Sequence, residues 1–452
     1  MASTLGAGIY SDIFFIAFKL PNLFRRIFGE GAFIQSFLPS FIHARYKGIF
    51  ALSVGGIFSL LLIILSLIVA LFSGFFTKLL AFGFSQETIL IASPIVSINF
   101  WYLFLVFCTT FLSALLQYKN VFWVNAYNTA LLNIAMILAL YYSQDFDKLQ
   151  IVYILSYGVL CGGIAQILLH FYPLYSLGFF RLFWLSALKA RQFWGKNKKK
   201  TQILRSDLQS FFRQFIPALL GSSTAQLLAF IETLIASFLS FGSISYLYYA
   251  NRIFQLPLAL FAIAISTALF PMVARAIKNQ QETKALDAMK KAFWFLIITL
   301  CVCTLGGIML SQEIIWLLYQ RGSFEAQDTQ ITAQVFALYL IGLLPFGLSK
   351  IFSLWLYSHQ LQGKAAKYSL LSLSSGTLLS LILFKPFGVL GIAFSSSFAG
   401  FVLLTLNAYA LGREKIFCII THKKAALLLP VLLALEAVLL YGIKLLFQGY
   451  IQ

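Results

Sequence analysis

Acidic side chains are scarce in this chain. There are 14 Asp and Glu among 452 residues, against 33 Lys and Arg, and charged residues of both signs make up only 10%. A water-soluble domain of this length covers its surface far more densely with charge, so a soluble globular protein is excluded. Cysteine is scarce as well. Cys108, Cys161, Cys301, Cys303 and Cys418 are scattered, and all but Cys418 lie in apolar runs, which leaves neither a disulfide framework nor a zinc-ligand spacing. The four histidines, His43, His170, His359 and His422, are equally dispersed, so neither a metal nor another cofactor is expected. A Gly-rich nucleotide loop, a Ser/His/Asp arrangement and paired carboxylates in a polar loop are all missing. Their absence removes the common enzyme chemistries, and the chain is read as a non-enzyme.

What is present is apolar. Hydrophobic residues make up 60% and aromatics 17%, with 48 Phe. A membrane-spanning helix needs about 20 mostly apolar residues. Twelve segments qualify, at roughly 9–28, 50–76, 88–116, 121–142, 150–172, 212–240, 245–274, 292–319, 330–357, 368–384, 387–411 and 425–447. The expected fold is therefore all-α, a polytopic transmembrane helix bundle.

The formal net charge of +19 would suggest nucleic acid in a soluble protein. Here the basic residues lie in short loops, so no nucleic-acid partner is implied, and anionic membrane lipids are the expected contact of the loops. Counted over alternate loops, one set holds 23 Lys and Arg and the other only Lys78, Lys148, Arg321 and Lys385. The positive-inside rule places the rich set in the cytoplasm. Residue 1 then lies on the external side with the first segment running inward, and the simplest reading is a helix missing before Met1. The richest stretch, with Lys196, Lys198, Lys199 and Lys200, divides the chain. The expected organisation is an N-terminal lobe over 1–180, a basic cytoplasmic loop over 181–211, a C-terminal lobe over 212–411, and a basic loop with one further helix over 412–452. A weak echo supports related halves: Leu20-Pro21 precedes Leu38-Pro39 much as Leu256-Pro257 precedes Phe270-Pro271. Proline in such helices leaves a kink and a free carbonyl, so Pro21 and Pro257 are candidate gating positions.

Two polar clusters interrupt the apolar segments. In the first, Asp12, Lys19, Asn22 and Arg26 fall near one helical stripe, with Arg25 and Glu30 beside them. A polar stripe on an apolar helix has to face a cavity or a polar partner. Arg25 and Arg26 can instead snorkel to the headgroups, which leaves Asp12, Lys19 and Asn22 unexplained. In the second, Arg252 stands between Asn251 and Gln255, roughly 10 Å into its helix at 1.5 Å per residue. A guanidinium at that depth needs water, a carboxylate or a substrate, and Glu232 on the preceding helix is a candidate partner. Together the clusters carry more cations than carboxylates, which favours an anion and the bidentate grip of Arg on phosphate.

The stretch Asp12, Phe14, Ala17, Phe18, Leu20, Pro21, Asn22, Arg25, Arg26, Phe28, Glu30, Gly31, Ala32, Phe33, Phe37 and Pro39 resembles the N-terminal signature of the MurJ/MviN family. These are the lipid II flippases of the MOP superfamily. Gly242-Ser243-Ile244-Ser245 through Tyr249-Ala250-Asn251-Arg252 to Pro257, and Arg321-Gly322-Ser323-Phe324 with Asp328, resemble further family motifs. The resemblance implies two pseudo-symmetric lobes around a central cationic cavity. It also implies translocation of undecaprenyl-pyrophosphate-linked peptidoglycan precursor across the bacterial cytoplasmic (inner) membrane. On that pattern Arg25, Arg26 and Arg252, with Asn22 and Lys19, bind substrate. Asp12, Glu30, Glu232, Asn251 and Gln255 balance charge or gate. A monomer is compatible with this reading, as is association with the cell-wall synthesis machinery. The family has fourteen helices, and its first, with two more cavity arginines, has no counterpart among the twelve here. Two family acids near the second cluster are replaced by Asn251 and Gln255. The rivals are another MOP exporter, for O-antigen-type lipid or drugs, a non-transporting paralogue, and a membrane enzyme acting on polyprenyl phosphates.

Overall fold

The computed structural model describes residues 1–29, 32–196, 198–359, 361–421 and 423–447, with the backbone alone at 25–29, 32, 35, 190–196, 198–199, 217–218, 220–229, 423–425 and 446–447. Among these residues every regular element is helical. In chain order they begin with α1 (Ala2–Leu5), α2 (Ile9–Gly29), α3 (Ala32–His43), α4 (Lys47–Leu71), α5 (Ser73–Leu80), α6 (Gln86–Phe100) and α7 (Tyr102–Tyr118). They continue with α8 (Trp123–Tyr142), α9 (Lys148–Ser176), α10 (Phe179–Lys196), α11 (Lys198–Ala236) and α12 (Ser243–Pro257), then a π-helical turn (Leu258–Ile263). The remainder are α13 (Ala264–Lys278), α14 (Glu282–Met309), α15 (Ser311–Tyr319), α16 (Ala326–Ile341), α17 (Leu343–Ser358), α18 (Gln362–Leu411), α19 (Arg413–Ile420) and α20 (Lys423–Phe447).

Nine helical stretches among the described residues are long and apolar enough to cross a membrane. One of them, α18, is two helices. Gly388 has φ 56 and ψ −137, a left-handed conformation that glycine adopts without steric cost. The chain doubles back there, because the Ser372 hydroxyl donates to the Ala399 carbonyl at 2.5 Å. In a straight helix those residues would stand about 40 Å apart. All twelve expected segments therefore fall on helix, the first on α2 and the sixth on α11.

The chain forms two compact units, Met1–Asp12 with Leu228–Gln452, and Ile13–Leu227. They part inside α2 and inside α11, whereas the sequence suggested a division at 181–211. That stretch, expected as a loop, is helical in α10 and the start of α11. Its basic residues are spaced along amphipathic helices with buried positions such as Phe179, Ser186, Leu204 and Phe211, so low hydropathy there marks an interfacial helix and not irregular chain. The expected loop after residue 412 likewise contains the short helix α19.

The second unit is held by phenylalanine. Phe33, Phe37 and Phe41 stack at one-turn spacing on α3, with centroids 5.3 and 5.4 Å apart. Phe58, Phe107 and Phe211 surround Phe33 edge-on at 5.7, 5.4 and 6.0 Å. In lipid the aqueous hydrophobic drive between helices is absent, so close dispersion packing and aromatic geometry have to supply cohesion.

Candidate functional site

The first unit is organised around the N-terminus of α12. Gly242 caps it with φ 93 and has no side chain to accept the orphan amides. Asp12 supplies the missing acceptor from more than two hundred residues away. Its Oδ2 accepts the Gly242 N–H at 2.7 Å and its Oδ1 the Ser245 N–H at 2.8 Å. The Ser245 hydroxyl donates to Oδ1 at 2.5 Å and lies 2.9 Å from the Ser11 hydroxyl. The carboxylate is 2% exposed and sits at the positive end of the helix dipole. It thus faces a polar partner, and the partner is a helix terminus.

The neighbouring contacts lie at the same end of this unit. The Ser323 N–H donates to the Ser3 carbonyl at 2.8 Å, the Ser323 hydroxyl to Thr4 O at 3.1 Å, and the Tyr249 hydroxyl to Gly6 O at 3.3 Å. Gly6 and Gly322 both have positive φ, and a Cβ on either would stand 2.3 or 2.1 Å from the opposing carbonyl oxygen. Tyr246 donates to Asp328 at 2.9 Å, and Asp328 also closes the capping box of α16. The residues that the loop charges assign to the external side, near 1, 242 and 321, are therefore brought together.

Arg252 lies nine residues beyond Ser243 on α12, with its side chain exposed. Its guanidinium packs 4.7 Å from the Tyr248 ring centroid and donates to the Tyr248 hydroxyl at 2.5 Å. The expected pairing with Glu232 is not made: Glu232 is half-buried on α11, and the ion pairs among the described residues are Lys291–Asp287 and Lys415–Glu282. Asn251 and Gln255 spend their amides on each other, the Gln255 Nε2 donating to Asn251 Oδ1. Neutral amides at these positions leave the Arg252 charge without a counter-charge from its own helix. One turn on, Pro257 cannot donate a backbone bond, and the helix relaxes into the π-turn Leu258–Ile263. Such turns cluster at functional sites.

In the second unit, Lys19 and Asn22 are half-buried on α2 and Pro21 is buried within that helix. Arg25 and Arg26 lie on its helical backbone, their side chains outside the described residues, and Glu30 lies outside them altogether. Sequence reasoning missed Lys350, which stands mid-way along α17 and is exposed. A single cation in an apolar run of that length was the available signal. The partners of Asp12 were missed too, since Ser245 and Gly242 carry no local mark of a distant carboxylate.

Multiple apolar spans, a Pro-broken helix and cations within the spans define a multi-pass α-helical membrane protein of transporter type. Comparison with known proteins narrows the class. A family model described as lipid II flippase MurJ matches residues 1–452. A Helicobacter pylori protein called "Probable lipid II flippase MurJ" is 55% identical over 445 residues, covering 98% of this chain and 96% of that one. A Buchnera aphidicola protein of the same description is 32% identical over 427 residues, covering 92% and 80%. Among solved structures, a lipid II flippase MurJ in an inward closed conformation superposes with TM-score 0.76 at 24% identity, over 100% of this chain and 95% of that one. An inward-facing MATE multidrug transporter of the MOP superfamily gives 0.62 at 14% identity, over 88% and 94%. The two structures show the fold, an all-helical transporter architecture. The chain belongs to the lipid II flippase MurJ family, and is a multi-pass protein of the bacterial inner membrane. The family is one of transporters, not enzymes.

Proposed function

We propose that this chain moves lipid II from the inner to the outer leaflet by alternating access, with Arg25, Arg26 and Arg252 gripping the pyrophosphate and Lys19 and Asn22 assisting. The observation that carries this reading is Arg252, a guanidinium on a membrane helix with no carboxylate partner among the described residues and with neutral amides at Asn251 and Gln255 on its own helix. A permanent charge at that place is costly unless an anion uses it. The family membership supplies the identity of the anion.

Lys350 is a further cation on a membrane helix. Asp12 serves as a gate. Its bonds to Gly242 and Ser245 hold the external end of the first unit together, and opening to the outside requires them to break. Pro21, within α2, and Pro257, at the start of the π-turn, are the positions at which these helices would bend. An inside-negative membrane potential favours outward movement of a negative headgroup by about 2.3 kcal/mol per charge per 100 mV, so no nucleotide site is required.

A drug exporter of the same fold that carries organic cations is the second reading, and it would call for carboxylates where this chain has arginine. The test is complementation in cells depleted of their own flippase, with lipid II on the outer face read by its accessibility to an external probe. Arg25→Ala and Arg252→Ala are each expected to abolish growth and external lipid II while the protein remains in the membrane. Full complementation by both variants would sink the proposal.

A further inference from the structure

Arg252 does not stand alone. It shares a pocket of about 370 Å³ with Arg321, Tyr248, Tyr249 and Tyr319, and no acidic side chain lines it. Arg252 spends one nitrogen on the Tyr248 hydroxyl at 2.5 Å. Arg321 spends one on the carbonyls of Leu317 and Leu318, at 2.7 and 3.4 Å, at the C-terminus of α15. Arg252 is thus oriented by its own helix and Arg321 by the end of the preceding helix α15, and the other nitrogens of both have no partner among the described residues.

Closing off a helix C-terminus accounts for one nitrogen of Arg321 and leaves the rest of its fork unused. Two guanidiniums lining one pocket with no acid among its lining residues give it a positive potential that favours an anion. A planar fork with several free N–H groups suits an oxyanion with several oxygens better than a halide. The location is also informative. Arg321 belongs to the loop that bonds to Ser3 through Ser323, on the side that the loop charges make external. Arg252 lies about 14 Å farther along α12 from its first residue. The pocket therefore spans from the outer rim toward the depth at which Arg252 works.

We infer that this pocket is an outward-side site for a phosphate-type dianion, in which Arg321 receives the diphosphate that Arg252 presents. The inference rests on the function proposed above and adds a release site to it. The shared chemistry is the diphosphate group, carried either by the lipid headgroup or by free diphosphate in the external medium.

The experiment uses the full chain, purified in detergent, and needs no variant to begin with. Arginine modification by phenylglyoxal is followed residue by residue by mass spectrometry, with inorganic diphosphate, a polyprenyl diphosphate in micelles, or chloride at matched ionic strength. Protection of both Arg252 and Arg321 by diphosphate but not by chloride is expected. Protection by the lipid alone identifies the headgroup as ligand, and protection by both probes shows that the anion suffices. Failure of both probes, inorganic diphosphate and polyprenyl diphosphate, to protect Arg321 overturns the site. Arg321→Gln is then expected to weaken diphosphate binding about tenfold or more, the loss of charge-assisted hydrogen bonds, with Arg321→Lys in between. The two proposals fail separately. Loss of transport in Arg252→Ala with Arg321 unprotected removes only the release site, and protection of Arg321 with transport intact in Arg252→Ala removes only the transport reading.

Discussion

The external end of the first unit and the phenylalanine core of the second are held by opposite kinds of force. At the first, Asp12, Gly242, Ser245, Ser323 and Tyr249 are joined by short directional hydrogen bonds across distant parts of the chain. In the second, Phe33, Phe37, Phe58, Phe107 and Phe211 pack ring against ring with no polar atom involved. Hydrogen bonds of this kind contribute modestly in net terms and can be exchanged for water. A close-packed aromatic cluster has no such substitute, and it moves as a body. The difference teaches which region can open. A gate belongs where contacts are few, polar and replaceable, and a rigid lever belongs where they are many and apolar.

That contrast can be broken or sharpened by substitution. The largest effect on stability is expected at the core: Phe37→Ala should cost about 3–5 kcal/mol by emptying a fully buried ring site, seen as a lower melting temperature in detergent. Diphosphate affinity of the folded fraction should stay unchanged, and a matching loss of affinity would show that the core is not a separate body. Asp12→Ala should cost less, about 1–2 kcal/mol for a lost helix cap, yet should alter the accessibility of cysteines placed at the external end far more than Phe37→Ala does. Asp12→Asn keeps an acceptor and should fall between. Equal accessibility in all three proteins would remove the gating role of Asp12. The smallest effect is expected from Gln255→Glu, which puts a carboxylate one turn from Arg252. At an effective dielectric suited to exposed pairs the penalty on anion binding is about 1 kcal/mol, a several-fold weaker diphosphate titration. Tighter binding would mean that Arg252 is not the anion's partner.

Much of the fold was legible because crossing a membrane leaves a coarse mark. Runs such as 50–76 and 292–319 can only be spans, and the hairpin at Gly388 is announced by Lys385-Pro386 between two apolar stretches. The helix α10 and the start of α11 were hidden because interfacial helices rich in basic residues have the mean hydropathy of loops. At the site, Arg252 could be read from its depth in an apolar segment. The role of Asp12 could not, because a carboxylate that caps a helix 230 residues away leaves nothing in its own neighbourhood to point there. The missing Arg252–Glu232 pair illustrates the converse. Adjacent helices bring two charges near in sequence order, but side-chain direction decides whether they meet, and Arg252 turns to Tyr248 instead.

The most direct test of the central claim is translocation by the purified chain in lipid vesicles carrying lipid II, with an imposed inside-negative potential and external accessibility as readout. The account predicts that the wild-type chain exposes lipid II in a potential-dependent way. Arg252→Ala, inserted to the same level and melting at the same temperature, should expose it no faster than protein-free vesicles. Wild-type rates in the Arg252→Ala vesicles would contradict it.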